Sequence, residues 1–210
     1  MSNIKLPTSI LVLLRHGQSE WNLANRFTGW QDVDLSPRGI EEAREAGRKL
    51  KNLSVKFDQA FTSKLSRAQK TLDLALEEMG IELPTERDEA LNERDYGDLV
   101  GQNKDEAREK FGEEQVRIWR RSFDVAPPNG ESLKDTADRT LPYFNEKIMS
   151  EVKAGKNILM SAHGNSLRAI AMQLDNLSPE EVVKLEIPTG VPLVYEIDET
   201  GKVVSKKILS

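Results

Sequence analysis

The sequence predicts an α/β fold, with a mostly parallel sheet covered by helices on both faces. Segments typical of buried strands alternate along the chain with segments of helical periodicity. Two strand-like apolar runs stop abruptly at a histidine followed by glycine, at His16-Gly17 and at His163-Gly164. In open α/β sheets, ligands bind beyond the carboxyl ends of the strands. We therefore expect both histidines at one ligand-binding edge.

The composition limits the class of protein. A chain of 210 residues is long enough for one domain, which we place over residues 1–210, with a core that needs no disulfides. The absence of cysteine excludes thiol catalysis and thiolate metal sites. A formal charge of −5 argues against a general nucleic-acid binder, although a cleft can still be locally basic.

The sequence contains no membrane or export signal that we recognise. The apolar run near its start is too short for a signal peptide, and no small-residue cleavage site follows it. No segment approaches the ~18 apolar residues of a membrane span. We expect a soluble cytoplasmic protein with no membrane partner.

After the first strand, which ends at Arg15, three further elements continue the alternation. Ser36-Pro37 is typical of an N-cap and first helical residue, and apolar residues at helical spacing follow. A strand is predicted over 57–63 and a helix over 64–79, with Gly80 as its C-terminal stop.

The segment from about 81 to 130 is less regular, and we expect it to be an insertion over the ligand-binding edge. It begins as a loop, and two short helices are predicted over 106–111 and 113–123. The turn-rich stretch 126–130 ends it.

The alternation then resumes. A helix is predicted from Ser132 to Gly155 with a kink at Pro142, because proline cannot donate a helical hydrogen bond. A strand over 157–162 leads to His163 and a helix over 167–174. The remaining predicted elements are a short helix at Ser178-Pro179 and a hairpin with strands over 191–197 and 203–208.

The two histidines are the only ones in the chain. One histidine before a glycine is more often structural, but two in the same strand-to-helix context favour a function. Two imidazoles could also bind a metal, yet the spacing indicates no third ligand. Our hypothesis is that His16 is a nucleophile that accepts phosphate.

Phosphoryl transfer requires positive charge around the phosphate oxygens and an acid for the leaving oxygen. Arg15 and Arg67 both follow predicted strands, and they would also discourage protonation of His16. Glu93 could be the acid if burial raises its pKa enough to keep it protonated near pH 7. On the residues alone, Glu93 and the arginines at 117, 120 and 121 are more often solvated side chains.

Several motifs in the expected order cover most of the chain. They include RHGQSEWN, RFTGW, NERDYG, WRR and HGNSLR. With these motifs the chain resembles the 2,3-bisphosphoglycerate-dependent phosphoglycerate mutases, a branch of the histidine phosphatase superfamily. RHG alone marks only the superfamily, whereas the other motifs together are specific to the mutase branch. The resemblance implies a phosphoglycerate mutase-like fold and a possible homo-oligomer, either a dimer or a tetramer.

The resemblance also implies roles for individual residues. His16 becomes phosphohistidine, and Glu93 is the proton donor and acceptor. The residues implied around the transferring phosphoryl group are Arg15, Arg67, His163, Asn22, Gly164 and Asn165. The residues implied to hold the glycerate carboxylate and the second phosphate are Thr28, Gly29, Arg94, Tyr96, Lys104, Arg120 and Arg121.

The reaction implied by the resemblance interconverts 3-phosphoglycerate and 2-phosphoglycerate in glycolysis and gluconeogenesis. 2,3-Bisphosphoglycerate is its primer and intermediate, and no metal is required. Two departures from longer mutases, a connector of only Asn129-Gly130 and a sequence that ends with KKILS, suggest a more open site. The alternatives are a histidine phosphatase acting on small phosphomonoesters and a non-catalytic module that binds phosphorylated ligands.

Overall fold

The computed structural model describes residues 8–210, which form one sheet of six strands in the order β3-β2-β4-β1-β5-β6. The strands are β1 Thr8–Arg15, β2 Gln59–Thr62, β3 Thr85–Arg87, β4 Ile158–Ala162, β5 Pro192–Asp198 and β6 Val203–Ile208. The first four strands in this spatial order are parallel, and the hairpin of β5 and β6 adds an antiparallel edge. The predicted mostly parallel sheet is confirmed.

Helices cover both faces of this sheet. They are α1 Glu20–Leu23, α2 Pro37–Lys51, α3 Ser66–Met79, α4 Lys104–Phe111, α5 Glu113–Arg121, α6 Leu133–Tyr143, α7 Ser150–Lys153, α8 Gly164–Leu174 and α9 Pro179–Val182. A π-helical segment over Phe144–Met149 joins α6 to α7, and short 3-10 turns occupy Glu89–Leu91 and Gly97–Leu99.

The core has two layers because side chains alternate between the faces of a strand. On one face of β1, Leu11 packs in a cluster with Phe144 and Ile170, from the π-helical segment and α8. On the other face, Val12 packs with Leu72 of α3. All of these side chains are buried. Burial from both sides fixes the strands whose carboxyl ends form the site.

The predicted start of α2 and end of α3 are confirmed. The Ser36 hydroxyl accepts a hydrogen bond of 3.1 Å from the Gly39 N–H, and Pro37 is the first residue of α2. Gly80 follows α3 with a φ of 71°, a left-handed conformation that glycine adopts without strain.

Strand β3 was not expected, because it lies within the segment predicted to be an insertion. Its residues Thr85–Arg87 are polar and exposed, so no apolar pattern reveals them, yet they pair in parallel with β2. The part of the segment that extends over the sheet edge therefore begins after β3. Helix α8 also begins earlier than predicted, at Gly164 rather than Leu167, with His163 as its N-cap residue.

The helix that begins after Ser132 loses its regular α-helical geometry just after Pro142, the position at which the sequence predicts a kink. Pro142 lies in the last turn of α6, and the π-helical segment follows directly. Proline lacks the N–H that an α-helical turn requires, which disturbs the regular ladder at this position.

Within residues 8–210, no helix has both the length and the apolar character that crossing a bilayer requires. The expectation that the chain has no signal peptide rests partly on residues 1–7, which lie outside the described residues.

Candidate active site

The two histidines follow neighbouring parallel strands. Arg15 of β1 pairs in register with Ala162 of β4, and the His16 N–H donates a hydrogen bond of 3.0 Å to the Ala162 carbonyl. His16 and His163 therefore leave the same edge of the sheet side by side. Their ring centroids are 5.0 Å apart. The strand register explains why the shared sequence context brings them together.

The hydrogen bond of His16 fixes which of its nitrogens can act as a nucleophile. Its Nδ1 lies 2.6 Å from the Gly17 carbonyl oxygen. Because a carbonyl only accepts hydrogen bonds, Nδ1 carries the proton and Nε2 carries the lone pair. Burial, and then the charges of Arg67 and Arg15, hold the pKa of His16 well below its ordinary value, against the opposing effect of the Gly17 hydrogen bond. His16 is thus a neutral imidazole at pH 7.

His163 is supported by Ser63, a buried residue that the sequence did not indicate. Nε2 of His163 lies 2.7 Å from the Ser63 hydroxyl oxygen, which also accepts a hydrogen bond from the Leu65 N–H at 3.1 Å. Burial and the charge of Arg67 lower the pKa of His163 well below its ordinary value. Ser63 follows β2 as the histidines follow β1 and β4, and this shared position was a signal that could have revealed it.

Arg15 and Arg67 form an arginine pair beside His16, in which Arg67 is buried and Arg15 is half-buried. Arg67 donates to the carbonyls of Gln31 at 3.0 Å and Gly29 at 2.9 Å, and Arg15 donates to the Ile187 carbonyl at 2.8 Å. Burial lowers the pKa of Arg67 to about 10, so it stays charged at pH 7. The buried Nε of each arginine has no hydrogen-bond partner within residues 8–210. These donors suit the oxygens of a phosphate group.

The Glu93 carboxylate accepts three hydrogen bonds through one oxygen. Its Oε1 lies 2.8 Å from the Arg94 N–H, and 3.0 Å from both the backbone nitrogen and the side-chain nitrogen of Asn165. Burial raises the pKa of Glu93, but these hydrogen bonds and the charges of Arg15 and Arg67 outweigh it, so the pKa is lowered overall. The condition set by the sequence analysis, a pKa raised by burial, is therefore not met, and Glu93 is a carboxylate at pH 7.

The backbone of Glu93 is held from the opposite side by two residues that the sequence did not indicate. The Trp30 indole N–H donates to the Glu93 carbonyl at 2.6 Å, and Arg139 of α6 donates to the same oxygen at 2.8 Å. Arg139 also pairs with Glu131 at 2.7 Å, and its guanidinium stacks 5.4 Å from the Trp30 ring centroid. The position of Glu93 is therefore fixed through both its side chain and its backbone.

A second group of cations comes from helices α4 and α5. Lys104 is the first residue of α4, and Arg120 and Arg121 lie in the last turn of α5. Burial is the main cause that lowers the pKa values of Lys104 and Arg120. Arg117 of the same helix instead forms an exposed ion pair with Glu114. We call Lys104, Arg120 and Arg121 the clamp end. The histidine end consists of His16, His163, Arg15, Arg67 and Glu93, on which the charges of both arginines act.

Tyr96 and Arg94 lie beside the clamp end. The Tyr96 hydroxyl accepts a hydrogen bond from the Asn165 side chain at 3.3 Å. The buried guanidinium of Arg94 stacks 4.6 Å from the centroid of the Tyr96 ring. Tyr96 lines the cavity described below, whereas Arg94 does not.

The loop between β1 and α2 supplies further predicted residues. Asn22 closes a capping box with Ser19 at the start of α1, through hydrogen bonds of 3.0 and 3.1 Å. The Thr28 hydroxyl is buried without a hydrogen-bond partner within residues 8–210. Gly29 has a φ of 56°, a conformation that favours glycine, and it directs its carbonyl to Arg67.

One cavity of about 150 Å³ joins the two ends. All predicted site residues line it except Arg94 and His163, which lie behind its surface. Four further residues line it that were not among the predicted site residues: Arg26, Phe27, Arg168 and Glu186. The first three lie within the motifs RFTGW and HGNSLR, which was the signal that could have revealed them. Within residues 8–210, the lining contains seven basic residues and two acidic ones. The cavity is therefore locally cationic in a chain of net negative charge.

We find no cluster of three or more histidine, aspartate or glutamate side chains that could hold a metal ion within residues 8–210.

The site has a neutral histidine with a free Nε2 beside two arginines, one buried and one half-buried, at the carboxyl edge of a parallel sheet. This is the arrangement expected of an α/β enzyme that transfers phosphoryl groups to and from a histidine. The chain belongs to the histidine phosphatase superfamily (branch 1), whose family model matches residues 11–208.

Relatives with assigned names are similar over nearly the full chain. A protein from Bradyrhizobium diazoefficiens named 2,3-bisphosphoglycerate-dependent phosphoglycerate mutase is 61% identical, over 94% of this chain and 96% of its own. A protein of the same name from Parvibaculum lavamentivorans is 59% identical, over 96% of each chain. A protein from Schizosaccharomyces pombe named phosphoglycerate mutase is 57% identical, over 96% of each chain.

Solved structures share the fold. Bacillus stearothermophilus YhfR superposes with a TM-score of 0.81 at 25% identity, covering 93% of this chain and 94% of its own. A mycobacterial glucosyl-3-phosphoglycerate phosphatase superposes with a TM-score of 0.80 at 24% identity, covering 95% and 97%. The fold class predicted from the sequence is confirmed.

Proposed function

We propose that this protein interconverts 3-phosphoglycerate and 2-phosphoglycerate through a phosphohistidine at His16, with 2,3-bisphosphoglycerate as primer and intermediate. The names of relatives about 60% identical support this reaction, in glycolysis and gluconeogenesis. The observation that carries the proposal is a single cavity with two cationic ends, one at His16 and one at Arg120 and Arg121. A ligand with an anionic group at each end fits this arrangement.

In the first half of the reaction, the phosphoryl group moves from Nε2 of His16 to a free hydroxyl of the monophosphate. The P–N bond breaks and a P–O bond forms, and Glu93 takes the proton that the hydroxyl loses. The lowered pKa of Glu93 suits this role as a base. Arg15 and Arg67 hold the equatorial oxygens while charge redistributes over them.

In the second half, the bisphosphate has turned round and its other phosphate is transferred to His16. A P–O bond breaks, a P–N bond forms, and Glu93 returns its proton to the leaving oxygen. Glu93 must now be an acid. A bound phosphate dianion offsets the charges of Arg15 and Arg67, so it raises the pKa of Glu93 above that of the ligand-free site.

The roles that the resemblance implies are part of this proposal. The residues proposed around the transferring phosphoryl group are Arg15, Arg67, His163, Asn22, Gly164 and Asn165. The residues proposed to hold the carboxylate and second phosphate are Thr28, Gly29, Tyr96, Lys104, Arg120 and Arg121. Arg94 was expected among them, but it does not line the cavity, so we propose that it acts by positioning the Tyr96 ring.

The proposal is tested by supplying 3-phosphoglycerate and a trace of 2,3-bisphosphoglycerate in EDTA, and measuring 2-phosphoglycerate and free phosphate separately. We expect 2-phosphoglycerate in large excess over free phosphate, and a rate that depends on the primer. Free phosphate without 2-phosphoglycerate would instead identify a phosphatase. Neither product, with binding retained, would identify a non-catalytic binding module.

A cytoplasmic location and a homo-oligomer, either a dimer or a tetramer, stay predictions. Sedimentation equilibrium of the purified protein tests the oligomer directly, because a monomer mass at all concentrations contradicts it.

A further inference from the structure

The acidic residue Glu186 lines the cationic cavity without a role in the reaction above. Its side chain is 65% exposed, unlike the buried Glu93. One oxygen lies 2.8 Å from Nη2 of Arg121, and the other lies 3.7 Å from Nη2 of Arg168. A single flexible carboxylate thus bridges two cavity-lining arginines that come from different helices, α5 and α8.

Arg168 is a fixed cation beside this carboxylate. Its side chain is only 12% exposed, and its Nε donates to the Leu185 carbonyl at 2.7 Å. Its Nη1 donates to the Asn165 side-chain oxygen at 3.2 Å. These contacts hold the guanidinium at the cavity wall whether or not Glu186 is present. Arg121, by contrast, has one long hydrogen bond of 3.5 Å to the Val183 carbonyl besides the ion pair with Glu186.

The Glu186 bridge belongs to the clamp side of the cavity. The charges that lower the pKa of His16 are those of Arg67 and Arg15. The charge of Arg121 instead adds to the effect of burial in lowering the pKa values of Arg120 and Arg168. Arg121 also directly follows Arg120 in α5, so Glu186 lies against the clamp end, where the proposed function places the second anionic group of a ligand.

We propose that Glu186 is a specificity-determining residue, whose carboxylate competes with the second anionic group of a ligand for Arg121 and Arg168. The ligand class rests on the proposed function. An exposed ion pair is weak, so a bound anion can displace Glu186. When that end of the ligand leaves, Glu186 again neutralises the arginines. Glu186 thereby limits the affinity for ligands with two anionic groups. It does not change the affinity for ligands with a single anionic group.

The test compares the dissociation constants of two ligands for the wild type and for Glu186→Gln. The ligands are 3-phosphoglycerate, which has a phosphate and a carboxylate, and inorganic phosphate. Isothermal titration calorimetry is done in EDTA without primer, at low and at physiological ionic strength. We expect Glu186→Gln to lower the dissociation constant of 3-phosphoglycerate roughly three- to tenfold, more at low ionic strength, because it removes both a competitor and a repelling charge. The dissociation constant of phosphate should not change.

Glu114→Gln is the matched control. It removes the same charge from an exposed carboxylate that pairs with Arg117 on helix α5, outside the cavity lining. It should leave both dissociation constants unchanged, which separates a local effect of Glu186 from the change in net charge.

Three results would overturn the proposal. An unchanged or higher dissociation constant for 3-phosphoglycerate would mean that Glu186 orients Arg121 for the ligand. Equal tightening of both ligands would mean a general electrostatic effect. No binding of 3-phosphoglycerate to the wild type would mean that the ligand class is wrong. If the wild type binds 3-phosphoglycerate without isomerising it, the proposed function fails while this comparison can still be interpreted.

Discussion

The two ends of the cavity are built differently. At the histidine end, both histidines follow strand ends and are buried, and their rings are held at short distances, His16 by the Gly17 carbonyl at 2.6 Å and His163 by the Ser63 hydroxyl at 2.7 Å. At the clamp end, the cations come from two short helices, and Arg121 is paired with the exposed carboxylate of Glu186. The first end is suited to chemistry that requires fixed geometry, and the second to a ligand that must turn round.

The difference predicts that substitutions at the two ends affect different kinetic constants. Glu93→Gln keeps an oxygen that can accept the hydrogen bonds of Asn165 but removes the proton carrier. We expect kcat to fall by roughly 10²- to 10⁴-fold with little change in KM, measured by the isomerisation assay. A raised KM with unchanged kcat would mean that Glu93 only binds the ligand.

At the clamp end, the expected effect is on binding. Arg120→Gln should raise KM for 3-phosphoglycerate by roughly 10- to 100-fold, because it removes a charged hydrogen-bond donor from a partly buried site. Arg117→Gln, three residues earlier on the same helix but paired with Glu114 outside the cavity lining, is the control and should not change KM. Equal effects of both substitutions would contradict the assignment of the clamp.

Arg139 offers a smaller test of the rigidity of the histidine end. Arg139→Lys keeps the charge but loses the planar donors that bind the Glu93 carbonyl and Glu131 together. We expect kcat to fall roughly tenfold with an unchanged KM. Arg44→Lys, in a surface ion pair with Glu78, is the control. An unchanged kcat for Arg139→Lys would show that the other contacts of Glu93 are sufficient to position it.

The histidine end should also make stability depend on pH. The folded pKa values of His16 and His163 are lowered, so below about pH 6.5 the unfolded chain binds more protons than the folded one. The stability is fully present above that pH and decreases as the pH falls, by about 1.4 kcal/mol per pH unit for each histidine. Urea unfolding between about pH 6 and 5 measures this slope, which His16→Gln should reduce by about half. A flat profile would contradict the lowered pKa values.

Much of the histidine end could be predicted from the sequence because its geometry follows from strand order. The apolar runs that end at His16 and His163 indicated their shared edge, and the register of β1 and β4 brings the rings together. The protonation state of Glu93 could not be predicted, because its pKa depends on a balance between burial on one side and, on the other, the Arg94 hydrogen bond and the charges of Arg15 and Arg67.

The features that the sequence did not reveal depend on tertiary contacts. Strand β3 has no apolar pattern because its residues are exposed at a sheet edge. Glu186 and Arg168 become cavity residues only because α8 and the loop after α9 meet α5 at the clamp end. Arg168 belongs to the HGNSLR motif, but its sequence position does not show that its side chain reaches the cavity, and Glu186 does not differ in sequence from an ordinary solvated residue.

The most direct test of the account is to follow one phosphate through the histidine end. The protein is treated with 2,3-bisphosphoglycerate carrying labelled phosphate, the acid-labile label is located by mass spectrometry, and the labelled protein is then mixed with 3-phosphoglycerate. We predict a label on His16, its absence in His16→Ala, and transfer of the label to the added phosphoglycerate. A label on His163, or a label released only as free phosphate, would contradict the proposal that His16 passes phosphate between the two monophosphates.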